Sequence, residues 1–183
     1  MAPSGGNLQP WHFIVIENRK VLTAMEKIIE EKINDLPKIL KGYIENSDLK
    51  SSYLTYRFKK FSLFFCEAPV TIAVLVKFHD HPYVQYYVKK RGLNLFEANQ
   101  YMGFIDIQSV AAAIENLLLT AHSLGYGACW MSIPFMAKDE LKDILKVKSP
   151  WDLIAMIPIG IQESHYSSPK TKRKKIEEIV TFL

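Results

Sequence analysis

Ala2-Pro3-Ser4-Gly5-Gly6-Asn7-Leu8-Gln9-Pro10-Trp11-His12-Phe13, running directly into Ile14-Val15-Ile16, is the stretch on which the reading of this chain turns. Residues 11–17 are aromatic and β-branched, contain no glycine and read as a strand. The loop ahead of them is polar and rich in small residues. Pro3, Gly5 and Gly6 let the backbone approach a neighbour closely, and the amides of Asn7 and Gln9 both donate and accept. This composition suits a polar edge for a flat ligand. The plainer alternative is a polar loop with a Pro-Trp turn before a strand.

Moving outward, Asn18 can cap a helix over 19–34, where Leu22, Met25, Ile28 and Ile29 recur at helical spacing and Pro37 marks the break. A second helix is expected over 51–65. The apolar run 70–76 reads as a strand covered on both faces. Residues 79–101 are polar, basic and rich in tyrosine, with room for a short helix, and are the candidate for a mobile lid. The spacing predicts a long apolar helix over 104–124, ended at Gly125-Tyr126-Gly127. A short strand over 128–133, a helix over 138–145 and a buried strand over 153–161 follow. Pro158 inside the last of these argues for an edge or a bulge. Residues 177–183 read as a terminal strand. Strands and helices alternate irregularly, so the class is α+β or α/β in three layers.

At 183 residues the chain is expected to be one domain over 1–183, long enough to bury about 70% of its unfolded surface. The formal charge of +4 is uneven, with Lys170, Lys172, Arg173, Lys174 and Lys175 close together. One basic cluster on a mildly basic chain points to a local anion site more than to a nucleic-acid surface. Cys66 and Cys129 have no metal spacing and form no CxxC. No charged-then-apolar leader pattern is seen, and runs such as 154–161 are too short to span a bilayer. A cytoplasmic protein with reduced thiols and no membrane partner is the expectation.

Three segments together carry a resemblance. The first is the opening stretch. The second is Leu124-Gly125-Tyr126-Gly127-Ala128-Cys129-Trp130-Met131-Ser132-Ile133-Pro134-Phe135, and the third is Ser168-Pro169-Lys170-Thr171-Lys172-Arg173-Lys174-Lys175-Ile176-Glu177-Glu178-Ile179-Val180. Alone, the second would be a helix cap with a core strand, and the third a solvated charged tail. Together they resemble the nitroreductase family of flavin-dependent oxidoreductases, across 2–16, 68–76, 104–135 and 153–180. In that family the first segment follows a helix and an Arg/Ser phosphate-binding stretch, with which this sequence does not begin.

The resemblance implies an α+β fold: a three-layer α/β/α sandwich around a central mixed, mainly antiparallel sheet. It implies a homodimer with two FMN sites at the subunit interface and the long helix in the dimer core. NADH or NADPH would deliver hydride to flavin N5, and a nitroaromatic or quinone would then take its place in a ping-pong cycle. Pro3, Ser4, Asn7 and Gln9 would frame the ring edge. Backbone N–H groups at Met131, Ser132 and Ile133 would face the ring, where such donors favour developing negative charge. Pro134 offers no N–H there. Lys170, Lys172 and above all Arg173 would bind the phosphate, because a guanidinium fork matches phosphate geometry. Solvent can supply protons, so no catalytic side chain is named. Tyr83, Tyr86, Tyr87 and Tyr101 either cover the site or pack in the core.

Other features are set aside. His79-Asp80-His81 could ligate a metal, but spacing places no third ligand, so no metal site is assigned. Cys129 lies in an apolar strand and reads as core, not nucleophile. His12 points away from Trp11, toward solvent or a subunit contact. No GxGxxG or P-loop exists. The alternatives to a reductase are a flavin-binding or flavin-free homodimer without turnover, and a small nucleic-acid binder using 170–175.

Overall fold

The computed structural model describes residues 1–42, 51–132, 136–163 and 171–183. In chain order its elements are β1 (Trp11–Ile16), α1 (Arg19–Ile39), α2 (Ser51–Ser62), β2 (Val70–Lys77), α3 (Pro82–Arg91), α4 (Leu95–Tyr101), α5 (Ile105–Ser123), β3 (Tyr126–Ala128), α6 (Lys138–Ile144) and β4 (Trp151–Ile161). The four strands form one sheet in the order β1-β2-β4-β3. Every ladder among the described residues is antiparallel.

Alternation along β2 builds two cores. Ala73 and Leu75 face the layer of α1, α2 and α6, with Leu22, Met25, Ile29, Ile33, Phe65 and Leu141. Val74 and Val76 face α5, with Val110 and Ile114. Both faces are covered, so the strand reads as a continuous apolar run. Opposite Val74 and Leu75 the register slips by one residue in β4. Ile154 and Ala155 therefore face the same core in succession, while Leu153 and Met156 face the other. A bulge of this kind re-phases a strand without breaking the sheet.

Local chemistry explains the element boundaries. Asn18 accepts a hydrogen bond from Lys20 N at 3.0 Å and caps α1. The helix does not stop before Pro37, as expected, but continues to Ile39. In the last turn the proline forfeits only its own N–H bond, and Leu40 N still reaches Leu36 O at 2.8 Å. The 79–101 segment holds two short helices. Gly92, at φ 65°, ends α3, and a reciprocal Asn94–Glu97 capping box opens α4. Asp152 closes the rim of the first core, joined to Lys138 and to Lys142, the latter at 2.9 Å. Burial pushes its carboxyl up, but the hydrogen bonds from both lysines outweigh this and hold it below the ordinary value.

Two strand expectations are corrected. The strand placed over 128–133 starts earlier, at Tyr126, and its ladder ends at Ala128. Only a single bridge, Met131 to Met156, continues it, and Ile133 lies outside the described residues. Pro158 sits neither at an edge nor at the bulge but inside a central strand. A residue's N–H and C=O point to the same neighbour in a ladder. Pro158 O accepts from Cys129 N at 3.3 Å, so its missing N–H faces β3, where the ladder is interrupted. The terminal strand is absent as well. Ile176–Glu178 is one 3-10 turn, and none of the four strands pairs with the residues after it. Among the described residues no single helix is long and apolar enough to cross a membrane.

Candidate functional site

The opening loop is anchored at both ends. Gly5 N donates to Ser109 Oγ on α5 at 3.1 Å, and Lys77 N donates to Pro10 O at 2.9 Å. A Cβ on Gly5 would overlap the Ile105 side chain, so only glycine lets the loop lie this close to α5. Within the loop, Ser4 Oγ accepts from Gln9 N at 3.1 Å and Ser4 O accepts from Asn7 N at 3.0 Å. Asn7 and Gln9 hold left-handed backbones, φ 56° and 48°. Such conformations cost of order 1–3 kcal/mol each in non-glycine residues and concentrate at ligand clamps. Ser109, which fixes the loop, was not foreseen. Its only sequence signal is its place one turn into the long helix.

Pro3, Asn7 and Gln9 are exposed and Ser4 is half-buried. Gln9 Nε2 donates to Asn7 O and Asn7 Oδ1, both at 3.4 Å, on an exposed surface. The two residues border an open groove of about 1280 Å³, between Trp11 and Phe13 on one side and Asn116 and Leu117 of α5 on the other. A flat heterocycle with an N–H flanked by carbonyls needs mixed donors and acceptors at its edge, and this pair of amides supplies them. The residues fit the edge of a flavin ring.

The second half of the expected set lies elsewhere. Met131 is buried, and both its main-chain groups are bonded to Met156, at 3.0 and 3.1 Å. Ser132 is exposed just beyond it. β1 and β3 are opposite edges of the sheet, three strand spacings or about 14 Å apart. The groove that Asn7 and Gln9 border nonetheless runs to Tyr126 of β3 and Ile159 of β4. Lys172 and Arg173 are exposed, in a tail exposed at every position from 171 to 183, while Lys170 and Ile133 lie outside the described residues. Ile176, Ile179 and Phe182 are large apolar residues of that tail turned to solvent, Phe182 at 93% exposure.

The remaining chemistry-bearing groups divide. Cys129 is exposed at the sheet edge, not buried in the core as expected. Tyr126 and Gly127, paired in the edge strand just before it, are exposed as well. Partial desolvation still pushes the Cys129 thiol up, and burial pushes Cys66 up to about 12, so neither is poised as a nucleophile. His12 is exposed, as expected, with its ring 5.4 Å from that of Trp151. Tyr83, Tyr86 and Tyr101 are exposed, so they are not core. Tyr87 and Tyr101 lie 4.5 Å apart between ring centres, with the Arg91 guanidinium over both. His79 and His81 converge on Asp106, in the first turn of α5. The sequence could not supply Asp106 as a neighbour, because only the folded position of α5 brings it there.

The nitroreductase family model matches residues 1–161. The iodotyrosine dehalogenase 1 homolog of Caenorhabditis elegans is 26% identical over 181 residues, covering 97% of this chain and 50% of that protein. The iodotyrosine deiodinase of Hydra vulgaris is 24% identical over 183 residues, covering 98% of this chain and 59% of that protein. The chain thus spans little more than half the length of these curated relatives. Among solved structures, a BluB-like flavoprotein from Clostridium difficile 630 superposes with a TM-score of 0.81 at 32% identity, covering 100% of this chain and 83% of that one.

Proposed function

The chain belongs to the nitroreductase family, whose members are flavin oxidoreductases, and on that premise we propose that it is an FMN-dependent oxidoreductase passing reducing equivalents from NADH or NADPH to an electron-poor acceptor such as a nitroaromatic or a quinone. The observation that carries this reading is the pair of exposed amides, Asn7 and Gln9, held in left-handed backbone beside the open groove. FMN, when bound, supplies the hydride and electron chemistry. The protein's part is to bind, orient and tune it. Ser4, Asn7 and Gln9 hold the ring edge, with Pro3 and Gly5 setting the loop's approach. Main-chain N–H groups at Ser132 and Ile133 favour negative charge on the ring. Arg173, with Lys172 and Lys170, neutralises the phosphate.

These groups serve one ligand when two copies of the chain associate, so the working unit in this reading is a homodimer with FMN at the interface. One observation supports it: the tail carries exposed apolar residues that its own subunit does not cover.

The purified protein is expected to be yellow, to bleach with NADH or NADPH, and to recover colour with a quinone. A retained flavin that neither donor bleaches would favour the same fold without reductase turnover. Arg173→Ala should weaken FMN binding about tenfold, the order of one charge-assisted contact, and leave the dimer intact. Unchanged affinity removes the phosphate assignment. A second reading, reductive removal of halide from a halogenated phenol, is favoured by the match to the Caenorhabditis elegans protein across 97% of this chain. Halide release from 3-iodotyrosine under reducing conditions separates it from quinone reduction.

A further inference from the structure

One cluster has chemistry that the flavin reading does not use. His79 Nδ1 and His81 Nε2 stand 3.2 and 3.1 Å from the same atom, Asp106 Oδ1. Bonds of 2.0–2.1 Å in a tetrahedral metal centre put neighbouring ligand atoms about 3.3 Å apart. Both separations from Asp106 Oδ1 are therefore those of tetrahedron edges, and all three ligand atoms lie within 4.8 Å of one another. The other carboxylate oxygen, Oδ2, accepts the His79 backbone N–H at 2.8 Å, which fixes the carboxylate's orientation. Contacts of that kind orient the ligands of metal sites.

The second observation is independent of the spacing. His81 is 8% exposed, and its Nε2 is buried without a hydrogen-bond partner. It is close to Asp106 Oδ1, but off the direction that a hydrogen bond requires. Buried polar atoms without a partner are rare. A cation held between Nε2, Oδ1 and Nδ1 of His79 gives this nitrogen a partner. His79, with its side chain 22% exposed, leaves a path by which water can complete the coordination.

We propose that His79, His81 and Asp106 bind a divalent transition-metal cation, with Zn²⁺ the best fit. Two imidazoles and one carboxylate suit zinc, whereas Mg²⁺ and Ca²⁺ favour all-oxygen sets. The cation joins the link between β2 and α3 to the first turn of α5. Ser109, in that region of α5, holds Gly5 of the opening loop. The site is therefore a clasp between the α3–α4 segment and the helix that positions the candidate flavin edge. It does not depend on the flavin reading, because its readout is metal uptake.

The test is Zn²⁺ titration of the tag-free, chelator-treated full chain against a competing chromophoric chelator, with and without added FMN. One Zn²⁺ per chain is expected. His81→Ala and Asp106→Asn should each weaken binding about 100-fold or more, since losing even an outer contact costs 10–100-fold. Wild-type protein that takes up no Zn²⁺ overturns the proposal, as does uptake unchanged in folded variants. Should the variants fail to fold, X-ray absorption at the zinc edge of the loaded wild type decides. Two imidazoles in the coordination shell support the site, and one or none refutes it.

Discussion

The two faces of the sheet differ in how completely they are covered. One is closed by α1, α2 and α6, where Leu22, Met25, Ile29, Ile33 and Leu141 have no exposure. Ion pairs at its margin, Lys59 with Glu30 and Lys142 with Asp152, complete the closure. The other face is covered by α5, which leaves Leu119 58% exposed and shares an open groove with the N-terminal loop. The closed face satisfies itself within one chain, while the α5 face buries Val74, Val110 and Ile114 as fully beneath its open rim. The partly covered face keeps apolar and amide surface available, and the candidate site lies there.

Truncation inside the closed face should have the largest effect. Ile29→Ala removes a fully buried side chain, with an expected loss of about 2–5 kcal/mol. Urea unfolding should show it as a lowered midpoint at unchanged slope. A loss below about 1 kcal/mol would mean that this core is looser than its burial implies.

Next comes the partly covered face. Leu119→Asp should leave the far-UV dichroism intact but weaken the proposed dimer about 100-fold, the scale of an interface anchor. Light scattering across a dilution series reads this. A dimer of unaltered strength would move the interface away from α5. Gly5→Ala sharpens the contrast further. Its Cβ overlaps Ile105, so the loop must lift from α5. FMN affinity should fall about tenfold, or about 1.4 kcal/mol, with little change in the urea midpoint. An equal loss of stability would make the loop part of the core instead.

The smallest effect belongs to the margin of the closed face. The Asp152 carboxyl is held below its ordinary 3.8 in the folded state. Its stabilisation is therefore complete above pH about 4 and disappears as pH falls through the lower folded value. Asp152→Asn should cost about 1 kcal/mol or less at neutral pH, since the pair is partly solvated. It should also flatten the acid limb of the stability curve. An acid limb as steep as before would assign that limb to other carboxylates.

Much of this was legible from local pattern. Leu22, Met25 and Ile29 announce α1, the 70–76 run announces a strand covered twice, and Gly125, at φ 83°, marks the end of α5. The resemblance was read largely from loops, and in the first of them geometry constrains the residue type, Gly5 lying against Ile105. What was not legible depends on partners distant in sequence. Pro158 suggested an edge because its lost donor is evident, but which neighbour loses the bond depends on strand order. Asp106 looks like an ordinary first-turn acid until the fold sets two histidines against it. Cys129 has the company of a core residue, but it follows an edge strand whose paired residues Tyr126 and Gly127 are exposed too. The two halves of the candidate flavin set are legible as motifs, but only the fold shows that the groove beside Asn7 and Gln9 reaches Tyr126 of the second motif.

The proline in β4 has a mechanical consequence. It works as a perforation in the fabric at the end of the three-residue outer strip, Tyr126–Ala128, one missing stitch just past the last paired residue. Amide protons of that strip should thus exchange with deuterium well before those of Val74 or Val76, giving the segment that leads to Ser132 an opening motion separate from global unfolding.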